Sequence, residues 1–88
     1  MFATNHPQRK KIKVNYDTEH DVLYIYIGEH KPSYADETEP GIFVKISDDD
    51  DETVTGLIIM DYSQKDYESL RRNLPIKVNF NKINKLIH

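Results

Sequence analysis

Asp17, Glu19 and Asp21 surround His20 within five positions, a composition that could hold a divalent cation or run acid–base chemistry. Either use requires ligand atoms that converge in a pocket where burial perturbs a carboxylate. Residues on a tight exposed turn point apart, and Asp is favoured there because its carboxylate caps the turn's own backbone N–H groups. The cluster is therefore read as turn chemistry. The run Asp48 to Glu52 offers hard oxygen ligands of the kind calcium takes, but it has neither the glycine at the sharp turn nor the bidentate acid at the twelfth position that an EF-hand loop requires. It is read as a solvated loop. His6, His20, His30 and His88 show no i, i+4 pairing, and Gly28, Gly41 and Gly56 are too widely spaced for a phosphate-cradling loop. Ser63 lies in no nucleophile motif. No catalytic residue, metal site or cofactor is expected.

The elements that would position any chemistry are those of one small domain. The chain has 88 residues, 38% of them hydrophobic and 31% charged, and no cysteine. A chain of this length buries roughly two-thirds of its unfolded surface, which leaves a stability of a few kcal/mol and makes help from a second subunit attractive. The missing cysteines exclude a disulfide framework and a thiolate zinc site. The longest apolar run, Val22 to Ile27, is far too short to span a membrane, and Met1 to Gln8 contains no apolar stretch of signal-peptide length. A cytoplasmic protein with no membrane partner is expected.

Charge divides the chain into three. Residues 1–13 carry Arg9, Lys10, Lys11 and Lys13 with no acid, and residues 63–88 carry six basic groups against Asp66 and Glu68. Between them, residues 14–62 carry thirteen acids against Lys31 and Lys45 alone, a net −11. Such a body repels nucleic-acid phosphates and favours basic protein surfaces. Nucleic acid is accordingly not expected as a partner, although the cluster Arg9, Lys10, Lys11 and Lys13 could touch it, as could Arg71 and Arg72.

The period of the apolar residues predicts an α+β domain over residues 11–80, preceded by a flexible tail over 1–10. Ile12, Val14 and Tyr16 alternate with polar residues, the turn-forming Asp17 to Asp21 follows, and Val22 to Ile27 forms the second strand of a hairpin. Residues 34–39 read as a short edge strand before the Pro40-Gly41 turn. Ile42 to Ser47 and Thr53 to Asp61 make a second hairpin. Near Ser63 the period changes to that of a helix over residues 63–73, with Ser63 and Asp66 as a capping box, Tyr62 and Tyr67 as its hydrophobic staple and Pro75 as its stop. Ile76, Val78 and Phe80 alternate as a last strand, and residues 81–88 form a C-terminal tail or short lid. The whole is a small antiparallel sheet of four to six strands with one α-helix.

The stretches Tyr16-Asp-Thr-Glu-His-Asp-Val-Leu-Tyr-Ile25, Glu39-Pro-Gly-Ile-Phe-Val44 and Gly56-Leu-Ile-Ile-Met-Asp-Tyr-Ser63 carry a resemblance. In order and spacing they resemble a small bacterial family, domain of unknown function 2283, over about residues 14–63. The resemblance implies a compact antiparallel sheet with a helix and attaches no activity to it. Some members resemble the antitoxin half of toxin–antitoxin pairs, which implies a small, basic, toxin-like protein as a partner. Three departures set this chain apart: Ile58 stands where the family usually has a charged residue, Tyr62 where it has a small one, and the acidic run replaces a short turn.

One pattern points beyond fold. The strands are apolar on both faces, with Leu23, Ile25, Val44, Leu57 and Ile59 on one side and Tyr24, Tyr26, Phe43, Ile58 and Met60 on the other. One short helix covers only one face. The second set is expected to form a patch of about a few hundred Å², the size at which patches mark interaction sites, and its aromatic and Met content suits an interface core. The functional expectation is a non-catalytic protein-interaction module that self-associates, as in a homodimer, or grips a basic protein partner. The alternatives are a lid formed by Phe80, Ile83 and Leu86 over this patch, and, for function, a small-ligand- or metal-binding enzyme.

Overall fold

The computed structural model describes residues 11–29, 31–74 and 76–87. The tail expected at residues 1–10, the helix stop at Pro75, and His6, His30 and His88 lie outside them. Five strands, β1 (Ile12–Asp17), β2 (Val22–Ile27), β3 (Ser33–Glu39), β4 (Ile42–Ser47) and β5 (Val54–Met60), are followed by a 3-10 turn (Tyr62–Gln64) and two helices, α1 (Tyr67–Asn73) and α2 (Phe80–Ile87). The strands form one sheet in the order β1-β2-β5-β4-β3, with every neighbouring pair antiparallel. The small α+β architecture and both hairpins are as the apolar pattern predicts.

The order explains why β2 and β5 are apolar on both faces. β5 is the central strand and β2 its interior neighbour, and they pair in register, Leu23 with Ile59 and Ile25 with Leu57. The edges are kept polar: β3 presents Asp36, Glu37 and Glu39, and β1 begins beside Lys11 and carries Lys13 and Asn15. Charged edges discourage strand-to-strand aggregation. Gly41, at φ 80°, turns the chain between β3 and β4 in a conformation that a side chain would strain. Its carbonyl accepts the Met60 N–H at 2.8 Å, which ties that turn to the end of β5.

The core lies on one side of the sheet. Leu23, Ile25, Leu57 and Ile59 have no exposure, and Ile42 and Val44 flank them. Each such side chain contributes about 1.5–3 kcal/mol by leaving water. Their cover comes from Tyr62, Leu70, Val78, Phe80 and Ile83. Tyr62 is 2% exposed at the centre of an aromatic cluster with Tyr16, Tyr67 and Phe80, and its hydroxyl donates to Asn84 Oδ1 at 2.7 Å. Burial among these rings pushes its phenol well above the ordinary tyrosine range. Among the described residues no helix is long and apolar enough to cross a membrane.

Three expectations for the C-terminal third are corrected. The α-helix does not start at Ser63: residues 62–64 form a 3-10 turn, and the cap of α1 is Asp66, whose Oδ1 accepts the Glu68 N–H at 3.1 Å. Ser63 Oγ instead donates to Asp21 Oδ2 at 2.7 Å, because the end of β5 lies beside the β1–β2 turn. The strand expected at residues 76–80 does not form, and the tail or lid expected at residues 81–88 is the second helix. Asn79 Oδ1 accepts the Lys82 N–H at 3.1 Å, the geometry of an N-cap, and Phe80 and Ile83 turn one helical face into the core. That face packs on the same side of the sheet as α1, so the lid reading for Phe80, Ile83 and Leu86 is overturned.

The two capping assignments predict different couplings. Asp66→Ala should cost about 0.5–2 kcal/mol through loss of the α1 cap. Ser63→Ala should act through Asp21, so its urea-denaturation effect should be non-additive with Asp21→Asn and additive with Asp66→Ala. Additivity with Asp21→Asn would show that the hydroxyl does not serve that carboxylate.

Candidate functional site

The sheet face away from the helices is built by the alternate residues of every strand. Cross-strand register lines them up in rows: Asn15, Tyr24, Ile58, Phe43 and Glu37 form one, and Lys13, Tyr26, Gly56, Lys45 and Ala35 the next. Val22 and Met60 pair in a third, beside Asp17. The five residues singled out from the sequence, Tyr24, Tyr26, Phe43, Ile58 and Met60, therefore share this face. Tyr24, Ile58 and Phe43 are direct neighbours across β2, β5 and β4 and half-buried by one another. Tyr26 and Met60 are 39% and 43% exposed. Among the described residues no segment covers the patch, and its centre is apolar while its margin carries Lys13, Lys45, Asp17 and Glu37. The acidic groups otherwise gather at the hairpin turns and along β3 rather than at the centre of the face.

At the β1–β2 turn the expectation of diverging side chains is corrected. Asp17, Glu19 and His20 bring one ligand atom each to within 4.8 Å of one another, because Asp17 draws the turn around itself. Its Oδ1 accepts the N–H groups of Glu19 and His20 at 3.0 and 3.2 Å, and its Oδ2 meets His20 Nδ1 at 2.9 Å. The turn-capping role of Asp17 is thus as the residue type predicts, while Glu19 and His20 stay exposed. Asp21 stands apart, at φ 56°, in the left-handed conformation that Asp tolerates at such turns. It accepts from the Tyr16 hydroxyl at 2.6 Å, from the Ser63 N–H at 2.9 Å and from the Ser63 hydroxyl, while its own carbonyl takes the Tyr62 N–H at 3.0 Å. This carboxylate fastens the first hairpin to the end of β5. The acidic run is organised in the same manner: Asp50 accepts from the N–H groups of Glu52 and Thr53 and from the Thr53 hydroxyl.

These bonds set the acid limit of the fold. The Tyr16 hydroxyl first, then the Ser63 hydroxyl and N–H, hold the Asp21 carboxyl below the ordinary carboxylate range. The Thr53 hydroxyl and N–H, with Glu52 N–H, hold Asp50 down to about 2, and the His20 ring leads in lowering Asp17. A carboxyl lowered in the folded state contributes stability above its unfolded value, near pH 4, and loses it as pH falls through the folded value. The urea midpoint should therefore be flat from neutral pH to about 5 and decline steadily below about 4. Asp50→Asn should flatten part of that decline, and an unchanged acid profile would contradict the assignment.

Comparison with curated proteins and with solved structures finds no match. A protein-family model does match, over residues 13–63, which takes in β1 from Lys13, the other four strands, Asp21 and Ser63, and stops before both helices. The matched span covers more than half the chain, and the chain belongs to the family of proteins of unknown function DUF2283.

Proposed function

We propose that this protein is a non-catalytic interaction module that associates with a second copy of itself through the open sheet face. The observation that supports the reading is the contiguous strip Tyr24, Ile58, Phe43 and Met60, which both helices leave uncovered because they pack on the opposite side. An apolar, aromatic centre with a charged margin is the anatomy of protein interfaces. The margin carries both signs, Lys13 and Lys45 towards one end and Asp17 and Glu37 elsewhere, so two copies need not repel. Face-to-face sheet packing about 10 Å apart would interdigitate these side chains as in a sandwich core. Burial of the patch would also supply stability that a domain of this size gains little of by itself.

The acidic edge strand β3, which sets Glu37 beside Phe43, favours a second reading: a small basic protein, antitoxin fashion, seated over Phe43 and that edge. Sedimentation velocity across a wide concentration range tests the first reading. The wild-type chain should shift from monomer to dimer, and Ile58→Lys should remain monomeric. A chain that stays monomeric at every concentration rules out self-association and leaves the basic partner to be tested by co-purification from its native cell.

A further inference from the structure

The row Lys13, Tyr26, Gly56, Lys45 ends the open face in a concavity rather than in a flat rim. A cavity of about 280 Å³ is lined there by Lys13, Lys31 and Lys45, with Tyr26, Thr55 and Glu29. Lys31 and Lys45 are the only two lysines or arginines between positions 14 and 62, among thirteen acids, and both come to this one hollow. Among the described residues none of the three lysines forms an ion pair. Lys31 lies close enough to Asp50 to help hold that carboxyl down, as the smallest of its causes.

The backbone is shaped to leave the hollow open. Lys45 pairs with Gly56 and Ile46 with Val54, so Thr55 is the extra residue of a β-bulge. Bulges re-aim side chains, and Thr55 Oγ1 lies 2.7 Å from Ser33 Oγ at the cavity wall. Gly56 forms the gap between Tyr26 and Lys45: a Cβ there would stand 2.6 Å from the Ile25 carbonyl oxygen, with Lys45 Cδ at 3.6 Å. No side chain can fill that position without moving the backbone of β2.

We propose that this cavity binds the phosphate monoester of a small molecule that carries an aromatic ring, a free mononucleotide being the simplest of that chemistry. Three lysines against Glu29 give the lining a charge of +2, which matches a phosphate monoester at neutral pH. Lysine is a point-charge phosphate binder, and the Tyr26 ring offers a flat wall for the base; the Thr55 hydroxyl, whose proton goes to Ser33 Oγ, fixes the wall. The site adjoins the paired strip, taking Tyr26 from the open face and Lys13 and Lys45 from its margin, and ligand titration reads it separately from assembly.

Titration of the ¹⁵N-labelled full chain with adenosine 5′-monophosphate, inorganic phosphate and adenosine, at constant ionic strength in chloride, tests it. The monophosphate should give saturable shifts of the Tyr26, Gly28, Thr55 and Gly56 amides, phosphate the same shifts more weakly, and adenosine none. Lys13→Ala and Lys31→Ala, both at exposed positions that leave the fold intact, should each weaken binding about tenfold or more. The proposal is overturned if no shift saturates, if adenosine binds as well as its monophosphate, if the monophosphate binds no tighter than phosphate, or if both lysine variants bind as the wild type does.

Discussion

Ile59→Lys is expected to unfold the domain, and Ile58→Lys, one residue away, to leave it folded. Ile59 has no exposure and sits between Leu23 and Ile42 under the two helices, where an ammonium group finds neither water nor a partner. Burying an unpaired charge costs several kcal/mol, against a total of only about a few kcal/mol for a domain of this size. Ile58 alternates to the other face, between Tyr24 and Phe43, where a lysine can extend its head into solvent and lay its stem along the rings. Circular dichroism with thermal melts separates the cases. Unfolding of both variants would show that the open face is packed core, and survival of Ile59→Lys would contradict the placement of the helices.

The second large effect concerns α2. Phe80 is 1% exposed, its ring nearly parallel to that of Tyr67 with centroids 6.0 Å apart and tilted against that of Tyr62 with centroids 6.1 Å apart. Phe80→Ala should cost about 3–5 kcal/mol, the transfer of a ring plus the cavity left between helix and sheet. For a domain of this size that lowers Tm by about 4–8 °C for each kcal/mol. Leu86→Ala is the control, since Leu86 is 69% exposed on the same helix and should change Tm little. A Phe80→Ala loss below about 1 kcal/mol would mean that the helix is an ornament on a core that stands without it.

The strands were legible because β1 and β4 alternate in their own residues, because β2 and β5 are short runs of β-branched and aromatic residues, and because the turns between them hold Asp, Gly and Pro at the positions that need them. The sharing of one face by Tyr24, Phe43 and Ile58 followed from that alternation alone. The C-terminal third was not legible for the opposite reason. Ile76, Val78 and Phe80 alternate as a strand would, but Phe80 belongs to a helix whose register, Phe80, Ile83 and Ile87, shows only when Asn79 is taken as its cap. Ser63 and Asp66 satisfy a capping spacing, yet Ser63 is claimed by Asp21, 42 positions earlier, a partner that only the β2–β5 pairing brings near. Tyr62 fills the space between sheet and helices that a small residue would leave empty, which fits a chain whose two helices close over it. The lysine cavity could have been suspected from one signal, the scarcity of basic residues in the acidic body, but its assembly depends on the sheet order and the Thr55 bulge.

The open face is not the whole of the exposed apolar surface. Ile12 and Leu86 are also exposed, beside a smaller hollow between β1 and α2 on the helix-bearing side. The location of the contact therefore tests the open face as the interface more directly than the existence of a dimer does. An isotope-filtered nuclear Overhauser spectrum of a mixture of ¹³C-labelled and unlabelled protein reads that location. Intermolecular signals are expected to join Tyr24, Phe43, Ile58 and Met60 of one copy to the same strip of the other, with none at Ile12 or Leu86. Intermolecular signals confined to Ile12, Ile83 and Leu86, with Tyr24, Phe43 and Ile58 silent, would contradict that interface.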